Sequence, residues 1–324
     1  MGRNYKKNGR VLTMRYERRQ HKKKKKRRWR KLFLILLLLS AGVFTYSFFL
    51  YKAGVSQSLQ NAETEKVEYE FNGEKDENGW TNTLLIGSDS RGEEHARADT
   101  IMIAHYNKEK GKYKVTSIMR DTYVDIPGYG KDKINAAFAY GGPELLRKTI
   151  KENFGIDLQY YSIVDFEGFV QLIDEAFPEG IEVNVEKRMS ENIGVTLEPG
   201  VQKLDGKHLL GYVRFRHDAV GDFGRVKRQQ KVLKSVAREL SNLETIPKLP
   251  KLVGVVTPYI NTNMKTMTML FMGKDFLGKE NRDIETLRIP VDGSFENQQV
   301  SGSGSVLAVD LEKNRAALKE FLNK

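Results

Sequence analysis

The chain of 324 residues contains no cysteine, and this absence removes several kinds of chemistry. Disulfide bonds, thiol nucleophiles and thiolate metal sites are all excluded. An exported domain with this sequence therefore has to hold its fold through its hydrophobic core. A segment of about 240 residues is long enough to form one large domain with such a core.

Two common active-site motifs are also absent. The five histidines have no metal-ligand spacing, and the sequence contains no HExxH motif. The segment GSDSR at 87–91 lacks the Gly-Lys-Ser/Thr ending of a P-loop. The sequence therefore does not predict a P-loop that binds the phosphates of a nucleotide.

Charge is absent from residues 32–51, and this run predicts a membrane-spanning helix. Twenty residues at the helical rise extend about 30 Å, the thickness of the hydrocarbon core. The preceding residues 1–31 hold sixteen Lys or Arg and one acid, a net charge of +15. Such basic segments remain in the cytoplasm, so residues 52–324 are predicted to lie outside the cell.

A cleaved signal peptide is the alternative to this anchor. Its apolar region would be shorter, about 7 to 15 residues, and a small-residue cleavage site would follow it. The sequence Lys52-Ala53-Gly54 fits such a site poorly. We favour an uncleaved anchor that places the protein in the cell membrane as a single-pass protein.

The basic tail also accounts for the net charge of +12, because the rest of the chain carries about −3 by the same count. Basic proteins are often nucleic-acid binders. Here the excess charge is explained by membrane topology, and no nucleic-acid partner is expected.

The chain is predicted to have four parts: a basic cytoplasmic tail at 1–31, the anchor at 32–51, a polar linker at 52–82 and an extracellular catalytic domain at 83–324. Short apolar runs that resemble strands alternate with amphipathic helical patterns from Thr83 onward. This alternation predicts an α/β fold, a layered α-β-α domain with a central mixed sheet and helices on both faces. The apolar stripe at 166–177 is interpreted as core rather than as a groove for a lipid tail.

Three loops beside the first predicted strands each combine carboxylates with arginines. Carboxylate oxygens are ligands that Mg²⁺ prefers, and guanidinium groups bind phosphate through two parallel hydrogen bonds. Solvated ion pairs are the simpler interpretation of any one loop, but three loops in succession favour a site. The loop residues are Asp89, Arg91, Arg97, Asp99, Arg120 and Asp121.

A second basic group follows in YVRFRHD and GDFGRVKRQQ. Arg214 and Arg216 are two residues apart and point the same way in an extended segment. Arg225, Arg228 and Gln229 lie on one face of the first turns of a predicted helix. Cations oppose the dipole at a helix N-terminus, so this arrangement is better explained if an anion binds there, although an ordinary basic helix surface remains the alternative. Lys133 supplies a further cation.

In the order GSDSR, RADT, SIMRDT, KINAAFAYGG, VDFEGF, YVRFRHD and GDFGRVKRQQ, behind one N-terminal anchor, the chain resembles the LytR-CpsA-Psr family of bacterial envelope proteins. The resemblance implies a phosphotransferase. Members move an anionic glycopolymer, such as wall teichoic acid or capsule, from a polyprenyl diphosphate carrier to the C6 hydroxyl of N-acetylmuramic acid in peptidoglycan.

The resemblance also implies roles for the residues above. Asp89 and Asp99 would hold Mg²⁺, with Mn²⁺ as an alternative, against the diphosphate. Arg120, Asp121 and Asp99 would form the catalytic set, in which Asp121 would act as general base or would orient a neighbour and Arg120 would bind the diphosphate oxygens. The remaining basic and amide residues would bind the diphosphate oxygens: Arg91, Arg97, Lys133, Arg214, Arg216, Arg225, Arg228 and Gln229.

Two other classes of function stay open. A membrane-bound regulator of envelope gene expression is one, but residues 1–31 lack the apolar periodicity of a DNA-binding fold. A hydrolase, or a module that binds polyprenyl phosphate or glycopolymer without reaction, is the other.

Overall fold

The computed structural model describes residues 29, 33–59, 67–88, 98–217, 221–240, 247–277 and 284–324. The chain divides into two compact units, Met1–Leu50 and Tyr51–Lys324. Helix α1, Phe33–Ser58, is long and apolar enough to cross a membrane. Its large apolar side chains, among them Phe33, Phe44 and Phe49, are exposed. An apolar helix that is not buried in protein fits the predicted anchor.

The segment predicted as a polar linker, 52–82, differs from that expectation wherever it is described. Helix α1 continues to Ser58. Further on, Tyr69 and Phe71 pack against the main hydrophobic core, and the backbone N–H of Glu74 donates to the carbonyl of Leu158 at 2.9 Å. The reason is that the segment contains aromatic residues, whose burial fixes the chain along the domain.

A mixed sheet of six strands forms the centre of the second unit. Its strands are, in spatial order, β10 (Glu285–Ile289), β3 (Lys112–Ile118), β2 (Ala98–Asn107), β1 (Trp80–Ser88), β6 (Tyr160–Asp165) and β9 (Asn261–Thr262). β1 pairs antiparallel with β2 and parallel with β6, and β3 pairs parallel with β10. The predicted mixed sheet is confirmed.

Helices cover both faces of this sheet. Successive side chains of a strand point to opposite faces, so each strand contributes apolar side chains to both helix layers. On one face Leu84 and Ile103 join a core with α2 (Ile134–Phe154) and α8 (Leu311–Asn323). On the other face Leu85 and Met102 meet side chains of α5 (Gly221–Leu240) and α7 (Thr266–Leu277). This is the α-β-α layering that the alternating pattern predicted.

Helix α2 begins earlier than the sequence predicted. The helical spacing of Leu145, Leu146, Ile150 and Phe154 behind Pro143 predicts a helix over 143–154. Helical backbone is already present from Ile134, with a break at Gly141 and Gly142. Gly142 has φ 61°, a conformation that glycine adopts without strain, and Pro143 restarts the helix with its fixed φ. The predicted start is thus the second half of a kinked helix.

A second sheet of four strands escaped the sequence analysis. It contains β11 (Phe295–Val300), β12 (Gly304–Val309), β4 (Thr122–Ile126) and β5 (Gly130–Lys133). Only residues 119–121 separate β3 of the central sheet from β4 of the second. Arg120 and Asp121 therefore lie at the junction between the two sheets.

A smaller core lies beside the central sheet. Helix α3 (Phe166–Ala176), the hairpin β7–β8 (Ile181–Val185 and Gly200–Leu204) and α4 (Gly206–Arg214) build it. Ile173 is buried there, and Phe169, Leu172 and Phe177 pack against it. These four residues of the stripe at 166–177 therefore belong to the smaller core. Helix α6 (Leu249–Val256) and a 3-10 turn, Thr257–Tyr259, precede β9.

His105 is buried in the middle of β2 and makes two side-chain hydrogen bonds. Its Nδ1 lies 2.7 Å from Asn82 Oδ1, and its Nε2 lies 2.9 Å from Thr116 Oγ1. Burial lowers the pKa of His105 to about 3, and the nearby Lys114 contributes in the same direction. The imidazole is therefore neutral in the folded protein.

This neutral histidine predicts a pH-dependent stability. The unfolded chain protonates His105 below its ordinary pKa of about 6.5, whereas the folded chain does not, so the free energy of unfolding falls by up to about 1.4 kcal/mol per pH unit as pH drops from about 6.5 towards 4.5. His105→Gln should lower stability at pH 7.5 and remove this slope. Urea unfolding at several pH values measures it.

The exposed His208 provides the matched control, since His208→Gln makes the same substitution at the surface. The slope should survive in that variant. An unchanged slope in His105→Gln would contradict the assignment.

Candidate active site

Four chain segments that are distant in sequence bring charged side chains to the junction of the two sheets. Asp99 lies at the start of β2, Arg120 follows β3, Arg216 follows α4 and Arg225 lies on the first turns of α5. Together with Asp121, Lys133 and Asp222 they form what we call the charge cluster. It contains four cations and three carboxylates.

Asp99 is one of two carboxylates shared among the arginines. Its Oδ1 accepts a hydrogen bond from Arg120 Nη1 at 2.8 Å. The same oxygen lies 3.6 Å from Arg216 Nη2 and 3.9 Å from Arg225 Nη1. Three guanidinium groups thus converge on a single carboxylate oxygen.

Asp222 is the second shared carboxylate. Arg225 Nη2 donates to its Oδ2 at 2.8 Å, an i,i+3 contact within α5. Arg120 Nε and Arg216 Nε lie 3.6 and 3.7 Å from its oxygens. An acid in the first turn also favours the helix dipole, so Asp222 compensates both the helix N-terminus and the arginines.

The β4–β5 hairpin adds the third carboxylate and a lysine. Pairing of Tyr123 with Lys133 across this hairpin brings the lysine back towards the turn that carries Asp121. Lys133 Nζ lies 2.9 Å from Asp121 Oδ1, and Arg120 Nε lies 3.7 Å from Asp121 Oδ2. Asp121 therefore connects the lysine to the arginines.

Aromatic packing fixes the start of α5 at this place. The rings of Phe223 and Phe295 stack with centroids 5.3 Å apart, and the guanidinium of Arg288 lies 4.6 Å from the centroid of Phe223. Val226 and Met119 share a buried cluster with Leu307 of β12. The first turns of α5 are thus held against the second sheet.

Arg225 is the most deeply buried cation of the cluster, with 3% of its side chain exposed. Burial lowers the pKa of Arg225 to about 10, with Asp222 acting in the opposite direction and Arg216 and Arg120 lowering it further. Arg225 is still a cation at neutral pH, although burial makes its charged form less favourable than it is in water. Burial, and then Arg120, also lower the pKa of Arg216.

Two guanidinium nitrogens of the cluster are left without a hydrogen-bond acceptor. The Nε atoms of Arg120 and Arg225 are buried and have no partner among the described residues. A buried donor without an acceptor costs about 1–3 kcal/mol. An anion of high charge density would offset both the lost hydrogen bonds and the repulsion among the arginines.

The other predicted residues of the second basic group have separate positions. Gln229 Nε2 donates to Thr100 Oγ1 at 2.9 Å, which ties α5 to β2 beside Asp99. Arg228 is buried, donates to the carbonyl of Phe215 and lies 5.2 Å from the centroid of that ring. Arg214 lies 4.4 Å from the centroid of Phe166 and makes no ion pair with the cluster within the described residues. Its side chain does not join the cluster.

Three predicted site residues, Asp89, Arg91 and Arg97, lie outside the described residues. The pairing of Ser88 with Ala98 fixes the two ends between which they occur. Ala98 immediately precedes Asp99, so both ends of this segment are beside the charge cluster.

A metal ion at this site would bind through carboxylate oxygens. Over the described ranges, no three His, Asp or Glu side chains come together in a way that could hold a metal. Mg²⁺ needs only one or two carboxylates when phosphate and water complete its shell. Asp99, with 22% of its side chain exposed, fits the role of one such ligand. The second predicted ligand, Asp89, is not described.

The sequence profile of the LytR_cpsA_psr family matches residues 44–320. The chain belongs to the LytR-CpsA-Psr family. The resemblance that the ordered motifs indicated is thus confirmed, and the match covers every member of the charge cluster. The family assignment does not by itself give a residue its role.

Several relatives of known name cover most of this LytR-CpsA-Psr protein. Regulatory protein MsrR of Staphylococcus aureus (strain COL) is 44% identical over 279 residues, 86% of this chain and 85% of that protein. Polyisoprenyl-teichoic acid–peptidoglycan teichoic acid transferase TagU of Bacillus mycoides (strain KBAB4) is 30% identical over 267 residues, 79% of this chain and 84% of TagU. TagT, a protein of B. subtilis, has been solved bound to LI-WTA. That structure matches this chain with a TM-score of 0.60 at 25% sequence identity, and the match covers 82% of this chain and 96% of TagT.

Sequence reasoning gave too small a role to Asp222. The sequence analysis named Asp222 neither as a metal ligand nor as a substrate contact, yet it contacts three arginines of the cluster. The available signal was its i,i+3 spacing to Arg225 at the start of a helix. The contacts with Arg120 and Arg216 depend on tertiary structure.

Removal of this carboxylate should reveal the uncompensated charge. We expect Asp222→Asn to lower the free energy of unfolding by about 1–2 kcal/mol, because three guanidiniums lose a shared partner. Added pyrophosphate should then raise the melting temperature of the variant more than that of the unchanged protein. Thermal unfolding of the detergent-solubilised chain with and without pyrophosphate measures both effects.

Asp125→Asn is the matched control, because Asp125 forms an exposed pair with Lys131 at 4.0 Å. Its melting temperature and its response to pyrophosphate should stay unchanged. If Asp222→Asn responds to pyrophosphate no more than this control, the cluster is not an anion site.

Proposed function

We propose that this protein is a phosphotransferase that attaches an anionic glycopolymer, of the wall teichoic acid or capsule type, to peptidoglycan. The donor is the glycopolymer on a polyprenyl diphosphate carrier, and the acceptor is the C6 hydroxyl of N-acetylmuramic acid. The catalytic domain works on the extracellular side of the cell membrane, and α1 anchors it there.

One observation carries this proposal: the charge cluster gathers Arg120, Lys133, Arg216 and Arg225 around carboxylates that only partly offset them. Buried guanidinium N–H groups without acceptors point to an oxyanion ligand. A diphosphate supplies several charged oxygens within a few ångströms. Two-point binding by guanidinium groups suits such a ligand better than a single carboxylate.

The names of relatives support the same class of donor. TagU is named as a transferase that joins teichoic acid to peptidoglycan, and TagT was solved bound to LI-WTA. Identities of 25–30% leave the repeat unit of the glycopolymer undetermined for this chain.

The proposed reaction is a displacement at phosphorus. The acceptor hydroxyl oxygen attacks the phosphorus that carries the glycan, a new P–O bond forms, and the P–O bond to the carrier breaks. Polyprenyl monophosphate leaves with the bonding electron pair, and the hydroxyl proton passes to a base. Asp121 is the proposed base or, through its contacts with Lys133 and Arg120, the residue that orients these cations.

The protein groups act mainly by position and charge. Arg120, Arg216 and Arg225 would bind the non-bridging oxygens, and Lys133 would neutralise a further oxygen. Phosphoryl transfer requires in-line positioning and charge stabilisation more than covalent participation by the protein. The carboxylates keep the guanidiniums apart and oriented until the donor arrives.

Asp99 and Asp89 are the proposed ligands of Mg²⁺, with Mn²⁺ as an alternative. The ion would supply additional neutralisation of the diphosphate when bound. Arg91 and Arg97 come from the same segment as Asp89 and are proposed to bind phosphate oxygens. Arg228 and Gln229 are proposed to support the site through Phe215 and Thr100.

A regulatory role is the second candidate, because MsrR, at 44% identity, is named a regulatory protein. A pure regulator would not need donors that converge on an oxyanion. A hydrolase or a non-catalytic binding module would use the same cluster, with water as acceptor or no reaction. A direct assay of joining separates these functions.

The assay combines the purified full-length chain in detergent with a lipid-diphosphate-linked glycan and uncrosslinked peptidoglycan. We expect covalent joining of glycan to peptidoglycan, lost when a chelator removes divalent cations. Arg225→Lys should reduce the rate by about 10²-fold, because lysine cannot form the two-point contact.

Arg188→Lys is the matched control, because Arg188 is exposed and pairs with Glu198 at the surface. Its rate should equal that of the unchanged protein. Release of free glycan without joining would favour a hydrolase, and binding of the donor without either reaction would favour a binding module.

A further inference from the structure

Helix α6 contacts the end of the apolar run very closely. Gly254 of α6 lies so near α1 that a Cβ there would be 2.3 Å from the carbonyl oxygen of Tyr51. In the same way, a Cβ on Gly54 would be 2.3 Å from the carbonyl oxygen of Lys251. Ser58 Oγ donates to the carbonyl of Val255 at 3.0 Å. The two backbones are in contact over residues 51–58 and 251–255.

This contact fixes α6 at the membrane boundary. Tyr51 is the last residue of the uncharged run, and Lys52 follows it. If the run spans the bilayer, Tyr51 lies at the interface whatever direction the preceding residues take. Because α6 touches Tyr51, α6 lies within about one helix diameter, roughly 10 Å, of that interface.

Helix α7 extends this region with apolar side chains that stay more than half exposed in the described part of the chain. It packs on α6 where Gly273 meets Leu249. Met267 and Phe271, which are four residues apart and share one side of α7, are 52% and 59% exposed. Large apolar side chains that remain exposed together mark an interaction surface.

The charge of this region is one-sided. Residues 247–277 contain four lysines, all exposed: Lys248, Lys251, Lys265 and Lys274. The single acid in this stretch, Asp275, accepts a hydrogen bond from Tyr106 and so faces the central sheet. Exposed lysines around an apolar patch match a surface that is apolar inside and anionic at its edge.

We propose that the α6–α7 surface, residues 247–277, docks on an anionic lipid bilayer. Met267 and Phe271 insert among the lipid head groups, and the four lysines contact lipid phosphates. This inference rests on the membrane anchor and not on the proposed transfer reaction, so either can fail without the other.

Such docking would fix the height of the charge cluster above the bilayer. Phe276 of α7 and Ala237 of α5 share one hydrophobic cluster. Ala237 lies twelve residues along α5 from Arg225, which corresponds to about 18 Å at the helical rise. A docked α7 would thus hold α5 and its arginines within reach of a lipid-linked diphosphate.

The absence of cysteine makes a direct test straightforward, because one introduced cysteine gives one labelling site. Full-length Met267→Cys and Phe271→Cys are labelled with an environment-sensitive fluorophore and reconstituted, one chain per nanodisc, in zwitterionic lipid containing anionic phosphatidylglycerol. Lipids with a nitroxide near the head group then act as quenchers. We expect quenching at both positions to exceed that of the control several-fold.

Val201→Cys is the matched control, because Val201 is an exposed apolar residue on β8, outside this surface. Replacement of the four lysines by glutamine, or omission of the anionic lipid, should reduce quenching at 267 and 271 and leave 201 unchanged. Circular dichroism of each labelled protein verifies folding, and the two positions provide independent measurements.

Equal quenching at positions 267, 271 and 201 in folded protein would overturn the proposal. So would shielding of positions 267 and 271 that appears only when two chains share a disc, since a second copy would then be the occupant. The transfer assay on the same samples reports separately on the proposed function.

Discussion

The repulsion among guanidinium groups is the constraint on which the structure of the site depends. Arg120, Arg216 and Arg225 approach one another closely enough to contact the same two carboxylates. Without Asp99 and Asp222 these cations would separate or would require water that the buried position of Arg225 does not provide. The carboxylates reduce the repulsion, but the Nε atoms of Arg120 and Arg225 still lack a hydrogen-bond acceptor among the described residues.

The fold satisfies this constraint by joining two sheets. The short connection between β3 and β4 carries Arg120 and Asp121, and the β4–β5 hairpin returns Lys133 to the same place. Aromatic contacts of Phe223 hold the first turns of α5 against the second sheet. Each described residue of the charge cluster therefore lies on a strand or helix or directly beside one. Because these elements are rigid, holding the like charges close together costs little further conformational entropy.

The described residues of segment 52–79 contact the domain, although composition alone describes this segment as polar. Helix α1 extends beyond the apolar run, and glycines at 54 and 254 allow the backbones of α1 and α6 to touch. Aromatic residues of segment 67–79 then bind that segment to the main core. These contacts limit how freely the domain can move away from Tyr51.

Much of the fold followed from local pattern. The short apolar runs of β1 to β3 and the apolar stripe of α5 are local features, so the layered α/β architecture was predictable. The second sheet was not, because β5 and β11 have polar sequences, and the short strands β4 and β12 gain stability only from pairing with them across the chain. Helix α7 was missed for a related reason, since its apolar residues surround the helix and give no clear period.

The sequence by itself determined the family, a run long and apolar enough to cross a membrane, and the residue types of the candidate site, because ordered motifs and an uncharged run are local properties of the chain. Only the tertiary structure decided which cations converge. It placed Arg225 and Arg216 on Asp99, gave Asp222 a central position and kept Arg214 apart against Phe166. The physical reason is that Asp99 is separated from Arg216 and Arg225 by more than a hundred positions, and a shared carboxylate is a contact that no local periodicity encodes.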